Sequence, residues 1–128
     1  MTDLSDPGFP APPPLGVSAL PAGTFDGEAV FVTGAGTGLG KAIAVEFARL
    51  GASVVVASRK PEHLDAGAAA IREVGADVVT AQCDIRDAEE VAAAFDTATD
   101  AFGLPGILVN NAAANFPSPA EDLSPNAW

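Results

Sequence analysis

Four short runs of apolar, largely β-branched residues mark the chain after its first two dozen positions: AVFV at 29–32, SVVVA at 53–57, DVVTA at 77–81 and GILVN at 106–110. Apolar runs of this kind, without polar alternation, suit strands buried on both faces, as in a parallel sheet covered by helices. Between them, apolar residues recur at helical spacing: Leu39, Ile43, Phe47 and Leu50, then Leu64, Ala68 and Ile71, then Val91, Phe95, Ala98 and Phe102. Gly51 marks the end of the first helix. Pro61 opens the second, which closes near Gly75, and Asp87 with Glu90 predicts a capping box for the third. The order β-α-β-α-β-α-β predicts right-handed crossovers and a three-layer α/β fold with helices on both faces of a parallel sheet. The last stretch, EDLSPNAW, reads as the start of one more helix. Ser124 suits the N-cap, Pro125 the first helical position, and Leu123 with Trp128 a hydrophobic staple.

Residues 1–22 show neither period and hold six of the 11 prolines. They are expected to form a flexible, Pro-rich arm, with a Pro-rich docking ligand as the alternative, and 23–128 the folded unit. With 48% apolar residues the chain is of globular composition and long enough for one domain. It contains no apolar run of the length that spans a bilayer, about 18 residues. No Lys or Arg precedes Lys41, so neither a secretory signal nor a transit peptide is expected, and the expected compartment is cytoplasmic.

Charge narrows the function. Six basic against 17 acidic side chains give −11, which argues against nucleic acid and against an anionic membrane surface as partner. An anionic ligand must find its cations among six residues. The single cysteine, Cys83, forms neither an internal disulfide nor a cysteine-rich zinc site, so no metal is expected. Cys83 reads as core, and His63, the one histidine, as a surface residue without a catalytic role.

The stretch VFVTGAGTGLGKAIAVEFARLG puts glycines between the first strand and the first helix. Gly34, Gly36, Gly38 and Gly40 allow a tight turn and close approach of a ligand, and the helix start behind them offers free N–H groups to a phosphate. A P-loop does not fit, because Ala35 and Ala42 replace its first glycine and its hydroxyl. The ordinary G-x-G-x-x-G also fails, at Leu39 or at Lys41. What fits is T-G-x-x-x-G-x-G through Thr33, Gly34, Gly38 and Gly40. Where NAD sites place an acid at the end of the second strand, this chain has Arg59 and Lys60. Either these are a solvated surface pair, or they hold the 2′-phosphate of NADP through charge-assisted hydrogen bonds. The second reading makes NADP(H) the expected coenzyme.

The T-G-x-x-x-G-x-G spacing resembles the short-chain dehydrogenase/reductase family, whose fold is a Rossmann-like sheet. Only about four strands, in the order 3-2-1-4, are expected here. ASRK, QCDIRD, NNAAANF and LSPNAW are together similar to the 2,4-dienoyl-CoA reductase branch, although Ala114 replaces a glycine of that branch. The resemblance runs from about residue 20 to 128 and corresponds to the first half of such an enzyme. It implies NADPH-dependent reduction of a fatty acyl-CoA in β-oxidation, by a full-length protein that is a homo-oligomer; the alternatives are another member of the family acting on a keto or hydroxy substrate, or a non-catalytic dinucleotide-binding fragment. It places Gly34, Ala35, Gly36, Thr37, Gly38 and Leu39 at the pyrophosphate, Arg59 with Lys60 at the 2′-phosphate, Asp84 at adenine, and Asn111 by the nicotinamide. It also places Arg86, Phe116 and Ser124 at the acyl-CoA; from the residues alone these could be solvated, core and a cap. The family's catalytic Asn, Ser, Tyr and Lys lie further along. No catalytic residue is therefore expected within 1–128, which contains no tyrosine, and the chain alone is expected to be inactive. A bare edge on the fourth strand would favour self-association.

Overall fold

The computed structural model describes residues 13–114 and 117–124. Strands and helices alternate: β1 Ala29–Thr33, α1 Gly38–Arg49, β2 Ser53–Ser58, α2 Pro61–Glu73, β3 Val78–Gln82, α3 Ala88–Phe102 and β4 Ile107–Val109, with a 3-10 turn at Ala120–Asp122. The strands form one parallel sheet in the order β3-β2-β1-β4, as the sequence predicts. Neighbouring strands run in close register: Val30 lies opposite Val54 and Ile107, and Val54 opposite Val78. The order reverses between β1 and β4, which opens a crevice at the carboxyl ends of these strands.

The pleat divides the core in two. Val30, Val32, Val54 and Val56 face α1 and α2, where Ala44, Ala48, Leu64 and Ile71 close over them. Phe31, Val55 and Ala57 face α3, against Ala94 and Ala98, and the Phe31 ring stacks on Phe95 with centroids 4.3 Å apart. The central strands carry consecutive apolar residues because each face meets a helix layer. On one face the core begins at Phe25, whose N–H donates to the Leu50 carbonyl at 2.9 Å and whose ring meets Phe47.

Three expectations are corrected. The buried face of α1 is Gly40, Ala44 and Ala48, while Leu39 is 72% exposed and Ile43 and Phe47 are half-buried. Small residues let the helix lie close on the sheet, and the larger ones fall to its flanks. The outer strands are not buried on both faces: Ala81 alone is fully buried in β3, and none of β4 is, Leu108 being 51% exposed. Among the described residues β4 has one strand neighbour, β1. Nor is the capping box reciprocal. Asp87 accepts from the N–H groups of Glu89 and Glu90, but the Glu90 carboxylate accepts from the Asp84 N–H at 2.7 Å instead of reaching back.

Ser124 is exposed; the helix expected from Pro125, with Trp128, lies outside the described residues. Among those described, no helix is long and apolar enough to cross a membrane.

Candidate functional site

The carboxyl ends of the strands open on a cavity of about 910 Å³. Its wall brings together the glycine turn (Gly34, Thr37, Gly38, Leu39 and Gly40), the tip of β2 (Ser58, Arg59 and Lys60), the tip of β3 (Asp84, Ile85 and Arg86), and Asn111 to Ala114 after β4. Eight of the expected coenzyme-site residues are on it: Gly34, Thr37, Gly38, Leu39, Arg59, Lys60, Asp84 and Asn111. Ala35 and Gly36 are not; both are buried behind the wall. Of the residues expected at an acyl-CoA, Arg86 lines the cavity, Ser124 does not, and Phe116 lies outside the described residues.

The glycines divide their work. Gly34 (φ +68°) and Gly38 (φ +50°) occupy the left-handed region that glycine alone enters freely. A methyl group on Gly38 would meet nothing within 4 Å, so this is the glycine that faces open space. Gly36 and Gly40 are needed for packing. A Cβ on Gly36 would run into the backbone of His63, and one on Gly40 into the Gly34 carbonyl and the Asn111 side chain. The absence of side chains at 36 and 40 therefore lets α2 and β4 close against the turn. This role differs from the close ligand approach expected of all four.

The start of α1 leaves its first amides open on the cavity. Thr37 is its N-cap, yet no side chain caps the helix, and the first backbone bond of the α-helical type runs from the Lys41 N–H to the Thr37 carbonyl. The preceding amides have no partner within a helix. They carry the positive end of the helix dipole, and Thr37, Gly38, Leu39 and Gly40 all line the cavity. Lys60, the N-cap of α2, lines it as well and also caps nothing with its side chain. By contrast α3, whose first turn lies off this wall, is capped by Asp87.

Charge is concentrated on the wall. Arg59, Lys60 and Arg86 are three of the chain's six basic side chains, and Asp84 is one of its 17 acidic ones. The Gln82 amide donates to the Arg59 carbonyl at 3.1 Å and ties the β2 tip to β3; it opens the QCDIRD stretch, but the sequence reading gave it no role. The Asp84 carboxylate is held by Arg86, whose Nη2 donates at 2.6 Å and Nε at 3.0 and 3.2 Å, with the Arg86 backbone N–H at 3.0 Å. These hydrogen bonds push the Asp84 carboxyl down to about 2, so it remains an anion. Two residues expected at different ligands are thus a bonded pair. Behind them Cys83 is buried. Burial first, then the charges of Glu90, Asp84 and Asp87, raise its thiol pKa, and the side chain packs with the core on the α3 side of the sheet. His63 is half-buried on the wall rather than a plain surface residue.

Thr33 fixes the floor, a role the sequence reading did not assign although the residue opens the glycine motif. Its hydroxyl donates to the Val109 carbonyl at 3.3 Å and accepts the N–H groups of Asn111 and Ala112, each at 3.0 Å. The Asn111 amide donates in turn to the carbonyls of Thr33 (3.0 Å) and Gly34 (3.4 Å). The tips of β1 and β4 are locked together beneath the turn.

This donor set suits a dinucleotide: uncapped helix amides for a pyrophosphate and cations at the β2 tip for a further phosphate. Comparison with known proteins agrees. A family model described as short chain dehydrogenase matches residues 28–128. An uncharacterized oxidoreductase of Caenorhabditis elegans, F53C11.3, is 49% identical over 112 residues, which are 86% of this chain and 36% of that protein. The probable 2,4-dienoyl-CoA reductase decr-1.2 of the same organism is 49% identical over 108 residues, 83% of this chain and 35% of that one. The chain thus spans about a third of the length of these relatives. Among solved structures, the L-sorbose reductase of Gluconobacter frateurii, complexed with NADPH and L-sorbose, superposes with a TM-score of 0.74. It is 30% identical, over 81% of this chain and 40% of that one.

Proposed function

The chain belongs to the short chain dehydrogenase family, and from that premise we propose that it is the coenzyme-binding part of an NADP(H)-dependent reductase of 2,4-dienoyl-CoA. The observation that carries the coenzyme reading is the charge inversion at the cavity: an acidic chain gathers half of its cations on one wall, two of them at the β2 tip where NAD sites carry an acid. In this reading the α1 amides with Gly34, Thr37, Gly38 and Leu39 hold the pyrophosphate, and Arg59 with Lys60 takes the ribose 2′-phosphate. Asp84, kept anionic by Arg86, accepts from the adenine amino group, and Asn111 holds the β4 tip in place beside the nicotinamide.

NADPH, when bound, supplies a hydride; the residues described here orient the coenzyme and none is placed to donate the proton that completes a reduction. The substrate reading rests on the dienoyl-CoA reductase relative and on a cation, Arg86, exposed at the cavity mouth. A fatty acyl-CoA would present its own phosphates to that cation, in the degradation of unsaturated fatty acids by a homo-oligomeric full-length enzyme. The test is NADPH oxidation by the full-length protein with a 2,4-dienoyl-CoA, set beside ketone and alcohol substrates. Turnover of the dienoyl-CoA at an enzymatic rate supports the reading, and turnover confined to the ketone or alcohol overturns the substrate assignment.

A further inference from the structure

His63 is the third residue of α2, with its N–H donating to the Lys60 carbonyl at 3.0 Å. Its backbone is pressed against Gly36, where no side chain fits between them. Gly67, one turn further along α2, packs on Ala35, whose carbonyl would lie 2.9 Å from an added Cβ. These two contacts dock the start of α2 on the glycine turn and place half-buried His63 on the cavity wall, together with Arg59 and Lys60. Dictated by packing rather than by a loop, this position is well suited to determining specificity.

We propose that His63 is a third, proton-dependent partner of the coenzyme's ribose phosphate, so that its contribution to holding the phosphorylated coenzyme, measured against a neutral side chain at the same position, is greatest when the imidazole carries its proton. The proposal rests on the NADP(H) reading above. Histidine is the side chain that ordinarily changes charge between about pH 5 and 8. Around it stand the cations Arg59 and Lys60 from the β2 tip, Glu62 and Asp65 on its own helix, and across the cavity the Asp84–Arg86 pair. The glycine turn contributes no charge. A bound phosphate dianion at this corner favours the imidazolium, and the imidazolium favours the dianion.

The experiment is calorimetric titration of the full chain with 2′,5′-ADP from pH 5.5 to 8.5, on wild type, His63→Gln and His63→Lys. The phosphate itself titrates near pH 6, and the ratio of wild type to His63→Gln removes that common contribution. The ratio is expected to fall by about threefold to fivefold from the acid to the alkaline end, the worth of a partly exposed ion pair. His63→Lys is expected to bind more tightly than His63→Gln at every pH. Parallel profiles for wild type and His63→Gln overturn the proposal while leaving the coenzyme reading intact. No binding of 2′,5′-ADP by wild type at any pH overturns both. Should the variants fail to fold, the single histidine of the chain gives one imidazole NMR titration. Its midpoint is expected to rise with 2′,5′-ADP and not with 5′-AMP, and equal midpoints overturn the proposal.

Discussion

The Thr33 hydroxyl and the Asn111 backbone meet at 3.0 Å, and through this contact two strands that lie far apart in the sequence share one floor beneath the glycine turn. Thr33 is buried and its oxygen serves three partners at once. Thr33→Val keeps the shape and strands two N–H groups. A loss of about 1–3 kcal/mol is expected, the cost of leaving buried donors unpaired. Urea unfolding of wild type, Thr33→Val and Thr33→Ser checks this, with Ser expected to recover most of the loss.

Two glycines of the same turn are expected to respond differently to a methyl group. Gly36→Ala sets a Cβ against the backbone of His63, which cannot rotate away, and is expected to cost about 2–3 kcal/mol through forced separation of α2. Gly38→Ala meets no atom and carries only the left-handed backbone penalty of about 1–2 kcal/mol. Thermal melts of the two variants are therefore expected to rank Gly36→Ala as the less stable.

The strands, the helix positions and the glycine turn were legible in the sequence, because periodicity and backbone punctuation are local signals; the strand order came with the family resemblance, since no local signal carries it. What was not legible depends on distance of approach. Gly40, Ala44 and Ala48 carry little apolar weight in a sequence pattern, yet they form the buried face of α1 because only small residues let it lie close on β1 and β2. Gly36 looked like a ligand glycine and is a packing glycine, since its neighbour, His63, is 27 positions away in sequence. The Asp84–Arg86 pair is local, but which of its possible partners a surface arginine takes is decided by rotamers, which no pattern records. The corner of Arg59 and Lys60 was readable because so few cations exist to choose from.

The Asp84–Arg86 pair makes a pH prediction with a definite sign. Because the folded carboxyl is depressed to about 2, its contribution to stability is complete above the ordinary Asp value of about 3.9 and is lost as pH falls from there through about 2. Carboxyl NMR titration is expected to place Asp84 near the lower value in wild type and back toward the ordinary range in Arg86→Gln. The wild-type shift is also expected to shrink in high salt, since Arg86 is largely exposed.

Cys83 offers a control on the buried floor. A buried thiol with its ionisation suppressed by burial and by three carboxylates reacts slowly with disulfide reagents. The native protein is expected to label only at the rate of unfolding, and the urea-unfolded chain at once. Rapid labelling of the folded protein would contradict the burial of the β3 tip.

The most direct measurement on the coenzyme reading is calorimetric titration of wild type and Arg59→Ala with NADPH and with NADH. Wild type is expected to prefer NADPH, and Arg59→Ala to lose about tenfold to a hundredfold of NADPH affinity, the worth of one charge-assisted hydrogen-bonded contact, with NADH affinity unchanged. Equal preference in the two proteins would contradict the assignment of the β2 tip to the ribose phosphate.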